Sequence, residues 1–297
     1  MPTVHHRHCP VCSGQSIRFD LKVVDHSVSK ESFDIWFCPD CTLRFTQDVP
    51  DEAAIGVYYQ SQDYISHTNT SKGIINQLYQ RVRNHTLASK ASLIKSFTRE
   101  KGKLLDMGAG IGAFVHTMKQ HGWDATGIEP DEGARGQAKA LYDLQLEPAN
   151  ALSTLEENSF DAITMWHVLE HVHDLHGYME KLKALLVKDG RLFIAVPNYT
   201  SGDASIYKDA WAAYDVPRHL YHFTPKSIDT LMGRHDLQVM EKKPMWFDSF
   251  YISLLSSKYR NGSTSWIGAA LSGLRSNIQA IGDRDKCSSL IYVVRKR

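Results

Sequence analysis

The stretch "LLDMGAGIGAF" at 104–114 decides the fold. Short apolar residues lead into three alternate glycines, Gly108, Gly110 and Gly112, with Ala109 between the first two. "AFVHTMKQHG" follows, a helix-like segment that ends on Gly122, a common stop. Glycines between a strand and a helix let the backbone approach a ligand and let the helix pack close to the strand. Asp106 closes the strand just before them. An anion there is poorly matched to a pyrophosphate and well matched to a cationic amino acid group, which argues against a nicotinamide dehydrogenase.

Downstream the pattern alternates. "DATGIEP" predicts a second strand ending on Glu129 and Pro130, with Glu129 19 residues after Gly110. That is the usual place for a carboxylate that takes a ribose diol. "DEGARGQAKALY" predicts a helix, "SFDAITMW" a strand and "RLFIAVPN" another strand. Between the last two, "DLHGYMEKLKALLVKDG" predicts a helix capped by Asp174, with Leu175, Tyr178, Leu182, Leu185 and Leu186 on one face. Strands alternating with helices imply an α/β, doubly wound, mostly parallel sheet. "FTPKSIDTLMGRH" adds a helix with Thr224 as cap and Pro225 in its first turn. "LQVMEKKP" and "SSLIYVVRKR" predict closing strands, and the residues between them predict a helical hairpin or lid.

The turn after "SFDAITMW" reads "HVLEH" at 167–171, an H-x-x-E-H pattern shared with zinc peptidases. That chemistry needs His167 and His171 one turn apart on one continuous helix, beside Glu170. The sequence gives a strand, a short turn and then a capped helix, so the peptidase reading is set aside. Trp166 and His167 fall at the carboxyl end of a parallel strand, where such sheets bind ligands. Glu170 and His171 lead into the next helix, and His173 and His176 read as solvated positions around its start.

The N-terminal segment is a different kind of unit. "CPVC" carries Cys9 and Cys12, and "CPDC" carries Cys38 and Cys41. "SIRFDLKVVD" and "FDIWFC" between them alternate like strands. Two C-x2-C pairs 25 residues apart fit a tetrahedral four-cysteine structural Zn2+ site, and a module with so little apolar mass needs such a staple. Cys287 is left over and reads as a buried, inert thiol. Residues 51–100 predict one or two helices, from apolar spacing at Ile75, Leu78, Val82, Leu87, Leu93 and Ile94.

Bulk composition bounds the function. Lys and Arg number 34 against 33 Asp and Glu, so whole-chain charge gives no support to nucleic-acid binding. "MPTVHHRHCP" has no apolar signal region, and the longest uncharged stretch, "NGSTSWIGAALSGL" (261–274), is too short and too rich in Gly and Ser to span a bilayer. The expectation is a cytoplasmic protein with no membrane span.

Taken together, "LLDMGAGIGAF", the acidic ends at Asp106 and Glu129, and "SFD…LEH" resemble a class I S-adenosylmethionine-dependent methyltransferase of the type 23 kind, over about residues 95–245. The resemblance implies a seven-stranded Rossmann-like sheet. It implies S-adenosyl-L-methionine as cofactor and S-adenosyl-L-homocysteine as product. Asp106, Gly108, Ala109, Gly110, Gly112, Glu129, Pro130, Trp166 and His167 would line the cofactor site. Asn150, in "LEPANALSTL", stands where the family usually offers an acidic residue to the adenine, and an Asn carbonyl can still bond it.

No N-P-P-Y, D-P-P-Y or Pro-Cys follows "SFDAITMW", which argues against amide, adenine and pyrimidine acceptors. "YDVPRHLYHFTP" at 214–225 concentrates Asp215, Arg218, His219, Tyr221 and His222. His219, His222, Tyr221 and Asp215 are the candidate catalytic residues, histidine being the usual base near neutral pH. A zinc ribbon ahead of this core resembles methyltransferases of sugar and cell-surface polysaccharide pathways, including sugar C-methyltransferases. That layout implies a small-molecule methyl acceptor, such as a nucleotide-linked sugar. The alternatives are an rRNA or tRNA methyltransferase that grips RNA through its ribbon, and a non-catalytic cofactor-binding protein. The expected organisation is a zinc ribbon at 1–50, a helical connector or lid at 51–100 and a methyltransferase domain at 101–297. Cap segments are expected at about 199–218 and 246–286.

Overall fold

The computed structural model describes residues 2–59, 74–98 and 101–297, with side chains in the first helix described from residue 81. The side chains of Ile75 and Leu78, expected on an apolar helix face, and all of residues 60–73 therefore lie outside the described part of the chain.

Five strands open the chain: β1 (Thr3–Val4), β2 (Arg18–Val24), β3 (Ser32–Phe37), β4 (Arg44–Thr46) and β5 (Val49–Pro50). Next come α1 (Ile74–Phe97), β6 (Lys103–Met107), α2 (Ala113–Gln120), β7 (Asp124–Ile128), α3 (Glu132–Tyr142), β8 (Phe160–Trp166), α4 (Leu175–Leu185) and β9 (Leu186–Pro197). The chain closes with α5 (Gly202–Tyr207), β10 (Tyr221–His222), α6 (Pro225–Arg234), β11 (Leu237–Pro244), α7 (Asp248–Asn261), α8 (Trp266–Gly282) and β12 (Ser289–Lys296). β9 starts at Leu186, directly after α4, so the helix is shorter and the strand longer than "RLFIAVPN" predicts.

The central sheet has the order β11-β12-β9-β8-β6-β7, with β6 parallel to both β7 and β8. Where a seventh strand is expected, the described residues form only a parallel bridge between Ile128 and Glu147. Glu147 donates its N–H to Gly127 O at 2.8 Å, and Glu129 donates to Glu147 O at 2.9 Å. Leu104, Leu105, Ile163 and Met165 are fully buried, as a parallel strand covered on both faces requires.

The chain divides into two compact units. One comprises Ser66–Trp166, Gly177–Phe193 and Val293–Arg297. Its glycine loop is held close by packing: a Cβ on Gly127 would come within 2.7–2.9 Å of Leu146, Ala109 and Val115. The other comprises Met1–Ile65, His167–His176 and Ile194–Tyr292. The first fifty residues are thus part of a larger unit. Their sheet has the order β10-β4-β3-β2, and β10 pairs Tyr221 with Phe45 and His222 with Arg44. A core of Val23, Ile35, Tyr207, Trp211, Tyr214 and Val216 packs these strands against the later residues.

Thr224 caps α6 as the sequence predicts. Its Oγ1 accepts from Ser227 N–H at 3.1 Å, and Ser227 Oγ accepts from Thr224 N–H at 2.8 Å. The 246–286 segment holds the two helices α7 and α8, with Ser265 capping α8. Among the described residues, no helix is long and apolar enough to cross a membrane.

Candidate functional site

The glycine loop leaves β6 with Gly108, Gly110 and Gly112 all at positive φ, 64°, 54° and 77°. Gly110 donates its N–H to Glu129 Oε2 at 2.7 Å, and Asp131 donates to Glu129 Oε1 at 2.9 Å. The loop is therefore tied to the acidic end of β7. Ala109 donates to Ile128 O at 3.0 Å, and the Pro130 carbonyl accepts from Arg135 at 2.7 Å. Asp106 is buried, and Thr164 donates its hydroxyl to Asp106 Oδ1 at 2.6 Å. Burial pushes Asp106 up to about 7, while the Thr164 bond and the Lys90 charge pull it down and Glu129 pushes it up. Trp166 lies edge-on to Phe114, with Lys90 Nζ 4.2 Å from its ring centre. Asn150 is exposed on the turn Ala149–Thr154.

The second constellation follows β8 in the chain. His167 has φ 59°, a left-handed conformation that takes the backbone out of the strand at once. A 3-10 turn, Leu169–His171, comes next. His167 and His171 therefore do not share one helix, and the peptidase geometry is absent. Glu170 is fully buried. His167 Nδ1 stands 3.4 Å from Glu170 Oε1, and its Nε2 stands 3.2 Å from Asp248 Oδ2. Burial lowers the His167 pKa, but these two carboxylates outweigh it and leave the ring at about 9.

His171 and His219 meet edge to face, ring centres 4.6 Å apart. His171 Nδ1 is 2.9 Å from Arg218 O, and His219 Nδ1 is 2.8 Å from Ala213 O. Burial, then the charge of His219, lowers His171 to about 4. Glu170, His171 and His219 present ligand atoms within 4.8 Å of one another.

Asp215 serves the chain beside them. Arg218 donates Nε and Nη2 to its two oxygens at 3.0 and 2.6 Å, and Nη2 also to Asp25 Oδ1 at 3.0 Å. Tyr221 donates its hydroxyl to His173 O at 3.2 Å. His222 is buried beside Tyr214, with Nε2 3.3 Å from Thr46 Oγ1, and burial holds its pKa well below the ordinary value. Of the four catalytic candidates, His219 and Asp215 lie by the "LEH" turn, while Tyr221 and His222 sit in β10 against the N-terminal strands.

Cys9, Cys12, Cys38 and Cys41 form a third cluster, with sulfurs within 4.8 Å and two pairs at 3.5 Å. The two C-x2-C turns repeat one geometry. Ser13 donates to Cys9 O and Thr42 to Cys38 O, both at 2.9 Å, with φ 60° and 62° at the donors.

Residues 79–242 match the methyltransferase domain family, more than half of the chain. The chain belongs to that family. Among its relatives, the ubiquinone biosynthesis O-methyltransferase of Methylocella silvestris is 28% identical over 159 residues, 49% of this chain and 62% of the relative. Its Coxiella burnetii counterpart is 29% identical over 46% of this chain and 56% of the relative. The chain thus spans under two thirds of the length of these relatives. A solved structure, the Burkholderia thailandensis 1,6-didemethyltoxoflavin-N1-methyltransferase with its substrate and S-adenosylhomocysteine bound, has TM-score 0.51 and 13% identity. It covers 92% of this chain and 99% of that one, a likeness of fold.

Within the family domain, the glycine loop, Asp106 and Glu129 come together as the sequence predicts. One expectation needs correction. His173 and His176 are half-buried and held by partners: His173 Nε2 lies 3.0 Å from Pro50 O, and His176 bridges Pro10 O at 2.9 Å and His235 at 2.8 Å. Both rings find carbonyl partners on the N-terminal module, which sequence periodicity cannot show. Glu170 and His171 lie on the turn Leu169–His171 that precedes α4, and they also form a cluster with His219. The one sequence signal for it was the H-x-x-E-H spacing itself.

Proposed function

We propose that the chain transfers a methyl group from S-adenosylmethionine to a small-molecule acceptor, a nucleotide-linked or cell-surface polysaccharide sugar. The observation that carries the cofactor half is the 2.7 Å bond from Gly110 N–H to Glu129 Oε2, which locks the loop to the acidic strand end. The residues fit the cofactor. A Cβ at Gly110 would meet nothing within 4 Å, so the backbone faces open space. Trp166 Nε1 is a buried donor without a hydrogen-bond partner among the described residues. Each Glu129 oxygen takes one backbone N–H and keeps a lone pair for a ribose diol. Asp106 would take the ammonium charge, and Asn150 would serve the adenine. The bound cofactor supplies a methyl group activated by its sulfonium.

The acceptor must ionise, and Glu170, His171 and His219 support that half, with Asp215 and Arg218 holding the segment. The sugar class rests on the cysteine module joined to this core. The four sulfurs suit Zn2+: bonds of about 2.3 Å in a tetrahedron place sulfurs about 3.8 Å apart, close to the 3.5 Å pairs here.

S-adenosylhomocysteine at about 100 times its Kd is expected to add roughly 2.7 kcal/mol, a rise of roughly 5 °C or more in Tm. Gly110→Val should abolish the rise, because a branched side chain enters the open space and is strained at φ 54°. No rise for the native chain at millimolar ligand overturns the reading.

Asp106 gives a pH signature. With its folded value near 7, above the ordinary 3.8, the folded chain binds more protons than the unfolded one between those values. This contribution to stability is full below the lower value and is lost as pH rises through the upper one. An ammonium partner favours the ionised form, so cofactor binding should tighten from pH 5 to 7 and release a proton. Calorimetry in two buffers of different ionisation enthalpy measures the release; undiminished release from Asp106→Asn would place the proton elsewhere.

A further inference from the structure

The "LEH" turn holds an arrangement that its own hydrogen bonds leave incomplete. His171 Nδ1 lies 2.9 Å from Arg218 O and 3.1 Å from the Tyr59 hydroxyl, and His219 Nδ1 lies 2.8 Å from Ala213 O; because a carbonyl oxygen only accepts, the two carbonyl contacts place the ring hydrogen on Nδ1 in each ring. In the neutral form of either ring the lone pair sits on Nε2. Glu170 is fully buried, and neither carboxylate oxygen has a hydrogen-bond partner among the described residues. His167 stands 3.4 Å from Oε1 through Nδ1 and pairs with Asp248 through its other nitrogen, Nε2, at 3.2 Å. Asp215 Oδ2, 3.9 Å from His219 Nε2, is already held by Arg218. One ligand nitrogen from each imidazole and one oxygen of the buried carboxylate thus lie within 4.8 Å of one another. A single proton would bridge one pair and leave the third acceptor bare.

We propose that Glu170, His171 and His219 form a binding site for a divalent first-row transition ion, separate from the four-cysteine cluster. Imidazoles anchored through their second nitrogen to backbone carbonyls are how protein metal sites orient ligands. Two such rings and one carboxylate suit zinc, iron or cobalt and leave coordination positions open. An acceptor hydroxyl at an open position would lose its proton more readily, as would the C–H beside a keto oxygen held there. This role rests on the methyl-transfer reading; ion binding does not.

The test uses the full chain, freed of metal under reducing conditions and titrated with Co2+ alone. About two equivalents are expected, one with the sulfur-to-cobalt charge-transfer band of thiolate ligation and one without it. Glu170→Gln should lose the equivalent that lacks the band and keep the other. Native chain that binds no such equivalent overturns the site, as does a Glu170→Gln chain that retains it. The native titration decides the matter even if the variant misfolds. The S-adenosylhomocysteine shift in Tm, measured on the same samples, reads the cofactor reading separately: a shift without the second equivalent removes the ion site alone, and the second equivalent without a shift removes the cofactor alone.

Discussion

Arg218→Met is expected to lower the unfolding free energy by about 3–5 kcal/mol at neutral pH. Arg218 is 1% exposed and serves three partners. It forks onto Asp215, bonds Asp25 and donates Nη1 to Tyr58 O at 2.7 Å. A methionine of similar length fills much of the volume and leaves a buried Asp25 and a partly exposed Asp215 without their cation. Asp25 keeps four other donors: the N–H groups of Ser27, Val28 and Ser29 and the Ser29 hydroxyl. Asp215 therefore bears most of the loss. Burial raises both carboxyls, but the Arg218 bond on Asp215 and the Ser29 and Arg218 bonds on Asp25 outweigh it and hold both below the ordinary value. Depressed carboxyls stabilise the fold above their unfolded pKa and lose that contribution as pH falls through the folded one. The gap between native and variant should accordingly shrink in acid. Urea unfolding at pH 7 and pH 4 measures it, and a gap below about 1 kcal/mol at pH 7 would sink this account. Arg218→Lys should recover only part, since an ammonium cannot fork onto a carboxylate.

The second large effect is expected from Cys38→Ser combined with Cys41→Ser. The double variant should lose the thiolate-bound metal and several kcal/mol of stability, the ~10–16 kcal/mol of small zinc-finger peptides being the ceiling. The loss should fall short of that ceiling because Val23 and Ile35 still pack against Trp211 and Tyr214. Hydrogen exchange should quicken first in β2, β3 and β4. An unchanged unfolding midpoint, with metal still bound, would show that the cysteines hold no structural ion.

What the sequence made legible was local. Gly108, Gly110 and Gly112 between a buried strand and a helix carry their backbone requirement in their identity, and Glu129 lies one strand away. Thr224 and Pro225 announce α6 in the same way. The histidine cluster was not legible, because His219 lies 48 residues beyond His171 and only folding joins them. No hydrophobic period marks a buried Glu170. That the first fifty residues share a unit with residues 194–292 was hidden for a related reason: β10 is two residues long, and Arg218 reaches Asp25 across 193 positions.

β10 also sets a timetable. Phe45 waits for Tyr221, 176 residues later in the chain. At ribosomal speeds of ~5–20 residues per second, that delay is about 10–35 s. During it the nascent β4 presents an unpaired strand edge, the kind of surface that recruits other chains. Expression conditions that slow elongation between residues 46 and 222 should therefore lengthen the aggregation-exposed window, while fragments ending before residue 221 never close it.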